Sequence, residues 1–136
     1  MRHIPVGAKG EFTLVVAAEH LAANFKDPFL PPVLATPVMI MMMENAALNA
    51  IRPFLDPGES VVGTVVNVRH LAATPAGQRV RAEAEVTAVE GRRIAFKVTA
   101  WDQREMIGEG VHERMVIDRA RFRERLAAKT DAPPTG

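Results

Sequence analysis

Cysteine is absent from this 136-residue chain, which excludes a disulfide framework, a thiolate metal site and a cysteine nucleophile. An excess of either charge is also missing. Seventeen Lys and Arg face 16 Asp and Glu, so the chain lacks the concentrated positive field that a phosphate backbone requires, and nucleic acid is not an expected partner. The four histidines, His3, His20, His70 and His112, do not fall at metal-ligand spacing, and neither a metal nor a bound cofactor is expected. No N-terminal stretch joins a basic start, an apolar run and a small-residue cleavage site, so a cytoplasmic location is the expectation. The apolar run around the methionines is broken by Glu44 and Asn45 short of the roughly 20 residues needed to span a bilayer, and no membrane partner is expected. Internal repeats and long low-complexity tracts are lacking too.

What remains is enough for one domain with a real core. Residues 1–128 read as that domain, and 129–136, ending "TDAPPTG", as a disordered tail. "GEFTLVV" alternates at Phe12, Leu14 and Val16 like a half-buried strand, followed by a helical turn through "EHLAA". "NFKDPFLPP" holds three prolines, two of them adjacent at Pro31 and Pro32, and reads as a loop or lid containing Phe25 and Phe29. From Val33 to about Phe54 the pattern is helical, with Thr36 as the expected N-cap and Pro37 in the first turn. Four stretches of period-2 character follow, "SVVGTVVNVRHLA", "QRVRAEAEVTAVE", "RRIAFKVTAWDQ" and "MIGEGVHERMVI". Their short connections make them antiparallel neighbours. In the second, Val80, Ala82, Ala84, Val86 and Ala88 share one face and charged or polar residues the other, so one sheet face is buried and one wet.

A helix of about 20 residues is roughly 30 Å long, and the middle of this one is apolar nearly all round. One flat contact cannot satisfy it. The economical arrangement is α+β, a curved antiparallel sheet wrapped around a long central helix. An interior one helix thick favours pairing into a homodimer, which could also cover an exposed sheet edge.

Three residues stand out chemically. Glu44, directly after three methionines, is either a carboxylate that reaches solvent or pairs with Arg52 or Arg114, or one held in an apolar pocket where desolvation raises its pKa and makes it a base or nucleophile. Thr36 is an ordinary N-cap or a hydroxyl awaiting a base. His70 ends a strand whose same-face residues are Val62, Thr64, Val66 and Val68; it is a core histidine or the best general acid/base candidate. Gly63, which interrupts that strand, marks a bulge or a close backbone approach. Strict alternation sets Gly63 and His70 on opposite faces, so a shared site requires a bulge. Arg114, in "GEGVHERMV", reads as a sheet-surface ion-pair former.

"VLATPVMIMMMENAA", "GTVVNVRHLAATPAG", "VTAVEGRRIAF" and "IGEGVHERMVI", in that order and spacing, resemble the fluoroacetyl-CoA thioesterase family of hotdog-fold proteins, from about Glu11 to Val116. The resemblance implies a helix "sausage" in a sheet "bun", a homodimer with active sites at or near its interface, and hydrolysis of an acyl-CoA to a carboxylate and free CoA. It assigns catalysis to Thr36, Glu44 and His70 and substrate contact to Gly63 and Arg114. CoA enters as part of the substrate. Oxyanion donors are then expected among the backbone N–H groups of Val38, Met39 and Gly63, since Pro37 has none. The lid departs from the family pattern: the family gates with a phenylalanine before the threonine, whereas Phe25 and Phe29 stand in a different register, which implies modest selectivity for fluoroacetyl. The competing functions are a non-catalytic acyl-CoA-binding hotdog domain and a hotdog hydratase or dehydratase.

Overall fold

The structure, a computed structural model, describes residues 1–131. Its strands are β1 (Lys9–Val15), β2 (Glu59–His70), β3 (Arg79–Glu90), β4 (Arg93–Trp101) and β5 (Met106–Asp118), and its helices are α1 (Ala22–Phe25), α2 (Thr36–Ile51) and α3 (Arg119–Asp131). All five strands pair antiparallel in one sheet of order β1-β3-β4-β5-β2. Helix α2 lies in its concavity, chiefly against β1 and β3. This is the α+β arrangement expected of the sequence, with one correction: β2, expected beside β3, pairs with β5 at the far edge, and residues 71–78 cross the end of the sheet to reach β3.

The core follows from α2. Val38, Met39, Met42, Met43, Ala46, Ala47, Ala50 and Ile51 are buried, a stripe at helical spacing that faces the sheet. Each fully buried methionine contributes about 1.5–3 kcal/mol. Opposite them stand Val80, Ala82, Ala84, Val86, Ile94, Phe96, Val98 and Ala100, the inward set of β3 and β4. Helix and sheet come closest at Gly10 of β1, where a Cβ would collide with the Ala46 carbonyl and the Ala50 amide. Pro53 stops α2, and the chain leaves through a 3₁₀ turn over Arg52–Phe54.

Two strands break the simple alternation. In β3 the register shifts between Val86 and Ala88, so Thr87 is the extra residue and Val89, not Ala88, packs against the core. In β2 the register passes from Gly63↔Arg114 to Val65↔Glu113, which makes Thr64 a bulge. Downstream of it Val66, Val68 and His70 pair with His112, Gly110 and Gly108. The bulge the shared site required is therefore present, and Gly63 and His70 end on the same face. Helix α3 extends to Asp131, into the stretch expected to be a tail; residues 132–136 lie outside the described residues.

Candidate active site

Thr36 is the first residue of α2, and the N-cap is Ala35, whose backbone is extended (φ −69°, ψ 139°) and which makes no side-chain cap bond. The Thr36 hydroxyl thus does not cap the helix. It lies 2.8 Å from His70 Nδ1 instead. The segment ahead of it is fastened from two sides: Ala35 N–H donates to the His20 carbonyl and Leu34 N–H to that of Thr74. Thr74 is fully buried, and its hydroxyl donates to Asp102 Oδ2 at 2.9 Å, tying the loop after β2 to the loop after β4.

His70 closes β2 beside a cleft of about 380 Å³ lined by Lys26, Leu30, Pro31, Thr36, Leu71 and Ala72, among others. Burial holds its pKa below the usual imidazole value, and a backbone interaction with Ala72 opposes part of that. A neutral ring with Nδ1 bare accepts the threonine proton. Its Nε2 is buried without a hydrogen-bond partner. Phe25 and Phe29, the expected lid residues, are 53% and 94% exposed and do not line the cleft; Leu30 takes that position. A second hollow of about 320 Å³, bounded by Lys9, Glu85, Lys97 and Trp101 on the sheet's outer face, offers no comparable hydroxyl–imidazole pair.

Glu44 is found elsewhere in the protomer. Eight helical residues separate it from Thr36, roughly 12 Å of rise, and the two do not share a hydrogen bond. Its side chain is 37% exposed, and Oε2 lies 3.8 Å from Arg114 Nη1, which is 11% exposed. Among the described residues Glu44 has no enclosing apolar pocket of the kind expected, whereas the expected partner Arg114 is present. Gly63 stands directly across from Arg114, and a Cβ on it would come within 3.0 Å of Glu44 Oε2. Thr36 and His70 thus form one pair, and Glu44, Arg114 and Gly63 a second cluster. Of the three expected oxyanion donors, the N–H groups of Val38 and Met39 both point at the Ala35 carbonyl, at 3.0 and 3.2 Å, which leaves Gly63.

One residue escaped the sequence reading. His112 is 1% exposed and contacts Arg114 through Nε2 at 3.2 Å. The signal was available: in "VHERM", strand alternation puts His112 and Arg114 on one face.

Known proteins share this chain's sequence and fold. The family model for fluoroacetyl-CoA-specific thioesterases matches residues 16–120. A fluoroacetyl-CoA thioesterase of Streptantibioticus cattleyicolor is 45% identical over 102 residues, 75% of this chain and 73% of that protein. The solved structure of the fluoroacetyl-CoA thioesterase FlK superimposes with a TM-score of 0.88 at 35% identity, covering 96% of this chain and 99% of that one. A threonine-to-serine variant of FlK in complex with acetyl-CoA gives 0.87 at 37% identity, covering 93% and 98%. The fold is accordingly the hotdog fold, and the chain belongs to the fluoroacetyl-CoA-specific thioesterase family.

Proposed function

We propose that this protein hydrolyses a short acyl-CoA to its carboxylate and free CoA, with Thr36, Glu44 and His70 as catalytic residues and Gly63 and Arg114 in contact with the substrate. The observation that carries the reading is the 2.8 Å bond between Thr36 Oγ1 and His70 Nδ1 at the wall of a cleft, in a chain of this family. His70 takes the hydroxyl proton, which raises the electron density on Thr36 Oγ1 as it works on the thioester carbonyl. Glu44 attacks that carbonyl or activates the water that does. The N–H of Gly63 faces the developing oxyanion; its collapse breaks the C–S bond, the CoA thiolate takes the proton held on His70 and leaves as the thiol, and where Glu44 was the attacking group water then opens the acyl–Glu44 anhydride to the carboxylate.

A homodimer completes the site. β2 is a sheet edge twelve residues long that exposes Val65 and Val66, at 39% and 45%. A long apolar edge is a template for pairing. Two-fold pairing of β2 near Val66 sets Gly63 of one strand opposite the Arg69–His70 end of the other. The Glu44 cluster of one protomer then meets the Thr36–His70 pair of its partner, so one cleft holds all the groups that a single protomer keeps apart. An acyl-CoA substrate also locates the work in the cytoplasm, where CoA is held; among the described residues no helix is long and apolar enough to cross a membrane.

The test is free-thiol release from a panel of short acyl-CoAs, fluoroacetyl and acetyl included. Release that depends on Thr36, Glu44 and His70 is the expected result. Tight binding without release would make the protein a binding module, and a change in double-bond absorbance without thiol release would make it a hydratase.

A further inference from the structure

His112 is one of two buried polar side chains among the described residues, the other being Thr74, and no step of the proposed hydrolysis uses it. Both of its ring nitrogens are engaged: Nδ1 lies 2.8 Å from the Val65 carbonyl oxygen and Nε2 lies 3.2 Å from Arg114 Nη1. A carbonyl only accepts and a guanidinium only donates. The ring must therefore carry its proton on Nδ1 and present a bare lone pair at Nε2. It is stacked on Phe96, centroids 5.8 Å apart and planes at 25°. Its Cε1 edge would be 3.4 Å from a Cβ on Gly63, and Val65 is the residue just past the β2 bulge. A single ring thus touches the bulge, the glycine and the arginine.

We propose that His112 is a positioning residue, a neutral Nδ1–H imidazole that pins the β2 bulge with one nitrogen and holds Arg114 against Glu44 with the other; its effect on turnover rests on the role given to Glu44 above. The Nη1 atom that meets His112 is also 3.4 Å from the Glu44 carbonyl oxygen and 3.8 Å from Glu44 Oε2, so the direction of the guanidinium is set by these three contacts together. The charged groups acting on the ring are Arg114, Glu44 and Glu113. Adding a proton at Nε2 would set N–H against N–H and disconnect the arginine. Burial, reinforced by the Arg114 charge, pushes the His112 pKa down and keeps the bare nitrogen available near neutral pH.

The experiment has an arm that reads the ring and an arm that reads turnover. In full-length protein, ¹⁵N-edited spectra of the histidine rings should show His112 as the Nδ1–H tautomer at pH 7; an Nε2–H tautomer or an imidazolium overturns the proposal. His112→Phe keeps the stack on Phe96 and removes both hydrogen bonds. It should lower kcat by roughly tenfold or more, the scale of one charge-assisted hydrogen bond, with KM little changed. His112→Gln, which restores an acceptor for Arg114, should recover most of that loss. In an Arg114→Ala background, His112→Phe should have no further effect on kcat; additive losses overturn the proposal. Should the variants not fold, or should the wild-type chain release no thiol from any acyl-CoA, the tautomer decides. The latter result sinks the proposed function but leaves the His112–Arg114 clamp open to that direct reading.

Discussion

Thr36 and His70 stand 34 residues apart in the chain and 2.8 Å apart in space, one as the first residue of α2 and the other as the last of β2. Their bond ties the long helix to the sheet edge. Removing the imidazole by His70→Ala should leave the fold intact and cut kcat by about 10²–10⁴-fold, the usual contribution of a general acid/base. Thiol-release kinetics together with a circular-dichroism spectrum check this. Near-normal turnover in the folded variant would make His70 a structural residue.

The pH dependence has a definite sign. His70 and His112 both have pKa values lowered from 6.5, burial being the largest cause for each. Below that value the unfolded chain binds protons that the folded chain refuses, so their contribution to stability is complete above pH 6.5 and declines as pH falls toward the folded values. Urea unfolding should show a lower midpoint at pH 5.5 than at pH 7.5. kcat/KM should lose its acidic limb below 6.5, where His70 takes up its proton. An activity limb inflecting above 6.5 would contradict the buried, neutral ring.

Two glycines separate chemistry from packing. At Gly63 an added methyl meets the far end of the Glu44 side chain at 3.0 Å, which can swing away. Gly63→Ala should keep stability within about 1 kcal/mol yet reduce turnover, because it displaces the carboxylate proposed to act on the thioester. At Gly10 the methyl would strike the α2 backbone at Ala46 and Ala50, which cannot move alone. Gly10→Ala should cost about 1–3 kcal/mol or more by overpacking. Denaturation midpoints and kcat measured on both variants decide; equal stability losses would refute the contrast.

The strands and the β3-β4-β5 neighbours are legible in the sequence because alternation and short connections act locally, whereas the pairing of β2 with β5 rather than β3 is not. The central helix is legible for the same reason, although Thr36 proved to be its first residue and not its cap: a hydroxyl with a partner 34 residues away has no need of the local backbone amide. Non-local facts were harder to read. Alternation is counted from residue to residue, so the extra residues at Thr64 and Thr87 shift everything downstream, which is why Ala88 was assigned the place that Val89 holds. The cleft lining is non-local in the same way. Phe25 and Phe29 stand out in the sequence by size, but Leu30 is the residue that lines the cleft, and the loop behind it is fastened by the Leu34 bond to Thr74.

Leu30 should govern acyl preference. It lines the cleft together with Thr36 and His70, and a leucine supplies neither the flat face nor the edge of an aromatic gate. Fluoroacetyl-CoA should be preferred over acetyl-CoA only modestly, since a difference of one small group is worth about 1–3 kcal/mol. Leu30→Ala should shift preference toward larger acyl groups and leave the Thr36–His70 bond in place. The ratio of kcat/KM values for the two substrates checks the first point, and a preference of many thousandfold would refute it.

Charging the exposed edge should separate the protomers. Val66→Lys places an ammonium where β2 would pair with its copy, and the outcome should be a folded monomer with turnover lost. Sedimentation velocity at micromolar concentration, paired with the thiol assay, reads both properties. A fully active monomer, wild type or variant, would refute completion of the site by a second copy.

The bulge at Thr64 bears on how this strand tolerates changes in length. Deleting Thr64 would give β2 and β5 an unbroken ladder, and by the criteria of sheet regularity the result would look improved. The facing of His70 would survive as well, because without Thr64 it stands six residues beyond Gly63 in place of seven, and strict alternation then keeps the two on one face. Loops elsewhere in the chain can gain or lose residues with little consequence. Here the sign of the change matters: a residue lost at Thr64 is absorbed by removing the bulge, whereas a residue gained without a second bulge, or Thr64 drawn into a regular ladder, would turn His70 away from Thr36.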